Sequence, residues 1–179
     1  MRESSKAALG GIVAALAVVI MLITYLSPLL VYTAPPFAGI LLIIIIEEIS
    51  YGWAFGTYAA VSALSILFIA DKEAAVFFVF FFGYYPILRK YLSSKIKNRP
   101  VLYVIKLLIF NAALLSAVYV CAYVFNIDYS EFSDSGEIMM LLFWGLMNVV
   151  FIVYDFLLSK LMFIYDVRLR KEFKKLFHR

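Results

Sequence analysis

The sequence predicts an all-α membrane protein, a bundle of six transmembrane helices with both termini on the same side. Three observations carry this fold class. The chain of 179 residues is 65% hydrophobic and 16% charged, with a mean hydropathy of +0.97. A water-soluble domain of that size cannot hide so much apolar surface. The apolar residues also run on continuously rather than alternating with polar ones, which suits helices in lipid and not a membrane barrel. Finally, the cations separate cleanly from the outer acids once six spans are drawn.

Charges, prolines and glycines bound the six spans at about 7–27, 36–50, 51–70, 74–92, 101–125 and 138–162, and most approach the roughly 20 residues that cross a hydrocarbon core. They form one integral membrane domain followed by a basic tail over 163–179. The first span follows the short basic segment MRESSK and has no small-residue cleavage site, so it is expected to be retained. The connection SPLLVYTAPP carries Pro28, Pro35 and Pro36 and is not expected to be regular helix throughout, because proline lacks the N–H a helix uses. The tail from Lys160 onward mixes Leu, Phe and Ile with Arg and Lys. It reads either as a helix lying on anionic lipid or as a stop-transfer anchor with solvated charges. The single cysteine, Cys121, excludes an intramolecular disulfide.

With six spans, fifteen of the sixteen Lys and Arg residues fall on the side of the termini, leaving Lys72 alone opposite. The positive-inside rule then places both termini in the cytosol of a cell-membrane protein. The outer loops carry Asp71, Glu73, Asp128, Glu131, Asp134 and Glu137.

Within LLIIIIEEISYGW, Glu47 and Glu48 follow six consecutive apolar residues. Counted from Pro36, Glu47 lies only about 16 Å along a helix, too shallow for the far interface. Either the second span starts earlier, near Leu29, and the carboxylates reach the cytosolic headgroups, or they sit mid-membrane at a cost of at least about 2.5–3.5 kcal/mol each. The first placement costs less, with a turn at Ser50-Tyr51-Gly52, and lets a carboxylate meet Lys6, Arg89 or a partner protein. Adjacent helical residues point about 100° apart, so the two cannot line one narrow face. The pair resembles the EExxxR motif of CAAX-protease-like membrane enzymes. However, Gly52 stands in the arginine position, and the only histidine is His178. Metal activation of water needs about three protein ligands. No serine or cysteine nucleophile has a histidine to activate it, and no phosphate-binding loop appears. An enzyme is not expected, nor are a cofactor, a metal or a nucleic-acid partner.

Lys106 and Asp155 lie at comparable depth in spans five and six, and are expected either to pair or to reach the inner interface separately. Trp144, Asn148 and Asp155 share one helical face, which is either a hydrogen-bonded seam between helices or a ligand wall. Small residues recur at four-residue spacing. Ala7, Gly11 and Ala15 do so in span one, Gly52, Gly56 and Ala60 in span three, and Ala113 and Ala117 in span five. Such spacing permits close helix packing in lipid.

Six helices in about 180 residues, a basic N-terminus leading into KAALGGIVAALAVVI and a proline-bearing first outer loop resemble the substrate-binding S components of energy-coupling-factor vitamin transporters. The resemblance implies a membrane subunit that captures a small, vitamin-like molecule and depends on partner subunits for energy. It implies docking to a membrane partner through Ala7, Gly11 and Ala15, with Glu47 and Glu48 as further docking candidates at the inner face. The ligand would lie in the outer half, where Tyr32, Phe37, Tyr119, Tyr123, Trp144 and Asn148 are candidate contacts. Aromatic walls suit a flat, mostly apolar ligand, and the acidic rim favours neutral or cationic ones. Rod-shape-determining membrane proteins share the six-helix shape, which makes a non-transporting scaffold of a cell-envelope complex the alternative.

Overall fold

The computed structural model describes residues 2–126 and 137–169. It contains six helices long and apolar enough to cross a membrane, which fits a multi-pass membrane protein. The spans are α1 (Glu3–Leu22), lengthened by a 3-10 turn at Ile23–Leu26; α2 (Leu30–Glu48); and α3 (Tyr51–Phe68). The fourth combines α4 (Lys72–Phe77) and α5 (Tyr85–Lys95) across a π-helical turn at Phe78–Phe82. The last two are α6 (Arg99–Tyr123) and α7 (Glu137–Ile164), the latter continuing into a second π-helical turn at Tyr165–Leu169. One end of the bundle holds Lys6, Arg89, Lys90 and Lys106 and is called here the basic end. The opposite, acidic end holds Asp71 and Glu73.

The second span departs from the sequence expectation. Helix α2 begins at Leu30 rather than at residue 36, and Pro35 and Pro36 lie inside it. The connection before it shrinks to Ser27–Leu29, where the Leu30 and Val31 N–H groups bond to the Ser27 and Pro28 carbonyls at 3.0 and 3.2 Å. Proline is tolerated because it sits close to the helix start, where only the Val31 and Tyr32 carbonyls lose an intrahelical donor. Starting earlier also carries the helix to Glu48 without a mid-membrane stop. Ser50 then caps α3 by accepting from the Trp53 N–H at 3.5 Å. The last span likewise runs beyond residue 162, and most of the basic tail, residues 170–179, lies outside the described residues.

Helix α2 and the fourth span are the most enclosed parts of the bundle, and α2 lies against α1, α3, the fourth span and α7. Its close approach to the fourth span depends on Gly39, where a Cβ would stand 2.2 Å from the Phe82 carbonyl oxygen and 2.7 Å from the Tyr154 hydroxyl. The π-helical turn is marked by the Gly83 N–H bonding five residues back, to Phe78 O at 2.8 Å. Tyrosines from two neighbours bond its carbonyls. Tyr58 on α3 donates to Val79 O at 2.7 Å, and Tyr154 on α7 donates to Phe82 O at 3.2 Å. Buried backbone acceptors are thereby satisfied where the regular ladder widens.

Phe110 on α6 stacks on Phe151 of α7 at 4.7 Å, with Phe81 edge-on to Phe110 at 4.8 Å. Outside the bundle, Ile12, Leu16 and Val19 on α1 and Leu141, Leu142 and Leu146 on α7 stay exposed. Helices apolar outside as well as inside are those whose solvent is lipid.

Candidate functional site

Polar side chains gather at three depths in the bundle. At the acidic end, the chain leaves α3 in an extended step at Ile69 and starts α4 with Asp71 at the N-cap position. This places Asp71 and Glu73 opposite the α1–α2 connection, around a cavity of about 460 Å³ that Thr24, Ser27 and Tyr32 also line. Tyr32 donates a 3.0 Å hydrogen bond to Glu73 across the cavity wall, joining α2 to α4. Lys72 turns away onto the last turn of α3, donating to the Ile66 and Ile69 carbonyls at 2.7 and 2.8 Å. The two carboxylates make this chamber one that attracts cations and repels anions.

Below it, on the lipid side, an apolar groove of about 250 Å³ lies between α2 and α7. Phe37, Ile40, Val150, Val153 and Leu157 line it, and Tyr32 stands at its head.

Halfway along the bundle, the amides of α6 and α7 close on each other. The Trp144 indole N–H donates to Asn111 Oδ1 at 2.7 Å, and Asn111 Nδ2 donates to Asn148 Oδ1 at 3.0 Å. Each amide nitrogen also reaches the carbonyl one turn back, Leu107 O and Trp144 O respectively, both at 2.9 Å. Every polar side-chain atom of the two asparagines is engaged, so this is a helix–helix seam. Trp144 and Asn148, expected as ligand contacts, bond to Asn111 within this seam.

At the basic end, Asp155 collects three donors: Tyr85 Oη at 2.6 Å, Arg89 Nε at 2.7 Å and Lys106 Nζ at 2.9 Å. Arg89 also donates to Ser159 Oγ and, at 3.3 Å, to Met162 Sδ. Lys106 and Asp155 are only 4% and 7% exposed, and burial at that level is sustainable for charges that are paired and hydrogen-bonded. The network ties the fourth span to α6 and α7. Sequence reasoning brought Lys106 and Asp155 to one depth but offered Arg89 only as a partner for the glutamates and did not consider Tyr85. The available signal was their four-residue spacing, which puts both on one face of a helix that continues past position 92.

Glu47 and Glu48 also lie at this end. Glu47 pairs with Lys90 at 2.6 Å, and Glu48 accepts from Tyr165 Oη at 3.2 Å. The 100° step between neighbours sends one to α5 and the other to the end of the last span. The Glu47 side chain is 5% exposed, and the carboxylate expected to dock a partner is engaged by the part-exposed Lys90 of the same chain.

Four of the six expected ligand contacts line neither the acidic-end cavity nor the groove. Besides the two seam residues, Tyr119 and Tyr123 stack on each other at 4.5 Å and point outward, 62% and 72% exposed. Residues four apart on one outer helical face belong to the lipid interface, where tyrosine is common. Phe37 lines the groove, and Tyr32 borders both spaces. The small residues separate as well. Ala7, Gly11 and Ala15 are exposed, and a Cβ on Gly11 would meet open space. Gly10, beside that face on α1, packs against Thr57 and Trp53. Gly52 and Gly56 also face open space, whereas Ala113 and Ala117 are buried between helices.

Comparison of the chain with protein-family models, with curated proteins and with solved structures finds no match.

Proposed function

We propose that this chain is the substrate-capture subunit of a small-molecule transporter, with its basic end in the cytosol and its acidic end outside. The cavity at the acidic end carries the reading. Its volume of about 460 Å³ falls within the range of small-molecule sites, about 300–1,000 Å³. It offers a hydrogen-bonded Tyr32–Glu73 pair beside Asp71, with Thr24 and Ser27 among the remaining lining residues. Segregation of fifteen of sixteen cations toward the termini supports the orientation. The chain has no phosphate-binding loop, so energy for transport would come from partner subunits, and the exposed Ala7–Gly11–Ala15 face of α1 suits one of them.

The test is thermal protection of the protein in lipid nanodiscs by a panel of vitamins and cationic metabolites. At least one should raise the melting temperature, and Glu73→Gln or Tyr32→Phe should reduce that rise. Gly11→Leu should release a co-purifying membrane subunit while leaving the protection intact. A panel without effect, together with co-purifying cell-envelope proteins, would replace this reading with the scaffold.

A further inference from the structure

We infer that the molecule this chain captures is an amphipathic amine whose cationic head sits at Glu73 and Asp71 and whose linear apolar tail lies in the groove between α2 and α7. The inference rests on the capture reading above and specifies its substrate class. Two spaces of opposite character meet at one side chain. The acidic-end cavity is lined by two carboxylates and by hydroxyls, while the groove is almost wholly apolar, and Tyr32 lines both. Its hydroxyl is on the polar side, bonded to Glu73, and its ring packs toward Phe77 and Phe143.

The groove faces the bilayer, since Phe37, Val149 and Val153 on its two walls are more than half exposed. Along α2 it extends from Tyr32 to Ile40, about 12 Å at the helical rise. That shape takes a chain laid parallel to the helices, not a flat ring system. An amphipathic molecule in a membrane keeps its polar head at the headgroup level and its tail in hydrocarbon. An amine held so would meet Asp71 and Glu73 by moving sideways, without leaving the lipid. Those carboxylates reject an anionic head and strengthen binding of an ammonium through charge-assisted hydrogen bonds. The tail gains no hydrophobic free energy on leaving lipid for the groove, so the head supplies affinity and the groove supplies selection by shape.

The experiment uses the whole chain in phosphatidylcholine nanodiscs and a long-chain primary alkylamine carrying a diazirine at the far end of its tail. On illumination, the label should concentrate in residues 36–40 and 149–157. Excess unlabelled amine should displace it, and an alkyl sulfate of the same length should not. Glu73→Gln should lower the labelling about tenfold, the worth of one charge-assisted bond, and Asp71→Asn provides a second head-group variant should the first fold poorly. Val153→Trp should remove the tail label while a short-chain amine still protects against melting. Label spread evenly over the exposed faces of α1 and α6, or labelling unchanged in both carboxylate variants, or equal displacement by the sulfate, would overturn the inference. If a metabolite or short amine still raises the melting temperature in that case, only the tail assignment falls. If no ligand of any kind does, the capture reading falls with it.

Discussion

The two ends of this bundle solve opposite problems with similar residues. At the basic end, Asp155, Arg89, Lys106 and Glu47 are drawn inward and matched to partners at 2.6–2.9 Å, Glu47 to the part-exposed Lys90. At the acidic end, Asp71 and Glu73 border a cavity, and Tyr32 donates to Glu73 across its wall. A charge consumed by internal pairing fixes helices against one another. A carboxylate that borders a cavity can meet a ligand there. The comparison therefore assigns rigidity to one end and recognition to the other, although both are built from carboxylates, tyrosines and lysines.

The largest expected effect tests the rigid end. Asp155→Ala strands Arg89 and Lys106 without their shared carboxylate and should cost about 3–5 kcal/mol in a reversible unfolding titration. Lys106→Met keeps the Arg89–Asp155 pair and should cost less than half as much. Equal losses in the two variants would mean that the network is not organised around Asp155.

Next comes the middle of the bundle. Gly39→Ala drives a methyl group into the Phe82 carbonyl, and should lower stability by about 1–3 kcal/mol as α2 is pushed off the π-helical turn. A neutral result would show that α2 and the fourth span are less closely apposed. Replacing Asn148 with Leu opens the seam, and hydrogen bonds between membrane helices average only about 0.6 kcal/mol with a maximum near 1.7. The stability loss should lie within that range, and thermal protection by a bound ligand should persist in the variant. Loss of protection with unchanged stability would return Asn148 to the ligand site.

The smallest stability effect is expected at the acidic end. Tyr32→Phe removes the part-buried bond to Glu73 and Glu73→Gln weakens it, and each should change unfolding by no more than about 1 kcal/mol. Their effect should appear instead in ligand protection. If either variant destabilises as strongly as Asp155→Ala, the distinction between a locked end and a receptive end fails.

Much of this was legible in the sequence, residue by residue. The adjacency of Glu47 and Glu48 already implied divergent partners, and the cost of mid-membrane carboxylates already favoured an early start to span two. The prolines misled, because Pro35 and Pro36 were read as breaking the helix when they occupy its early turns. The fourth span was ended near residue 92 for the same kind of reason, whereas the helix runs to Lys95: a charge at the edge of an apolar run marks the boundary of hydrophobicity, not of the helix. Trp144, Asn148, Tyr119 and Tyr123 were grouped as ligand contacts from residue type and depth. Neither property reports the rotation of a helix about its axis.

The sequence by itself determined that six apolar helices form and that the cations collect at the end of the termini, because transfer to hydrocarbon acts on each residue in turn and leaves its record in composition and order. Only the tertiary structure decided that Asp155 serves Tyr85, Arg89 and Lys106 together, that Glu47 is spent on Lys90, and that Tyr32 divides a polar cavity from an apolar groove. Those outcomes depend on how helices far apart in the chain are turned toward each other, and that angle is set by close packing at points such as Gly39 against Phe82.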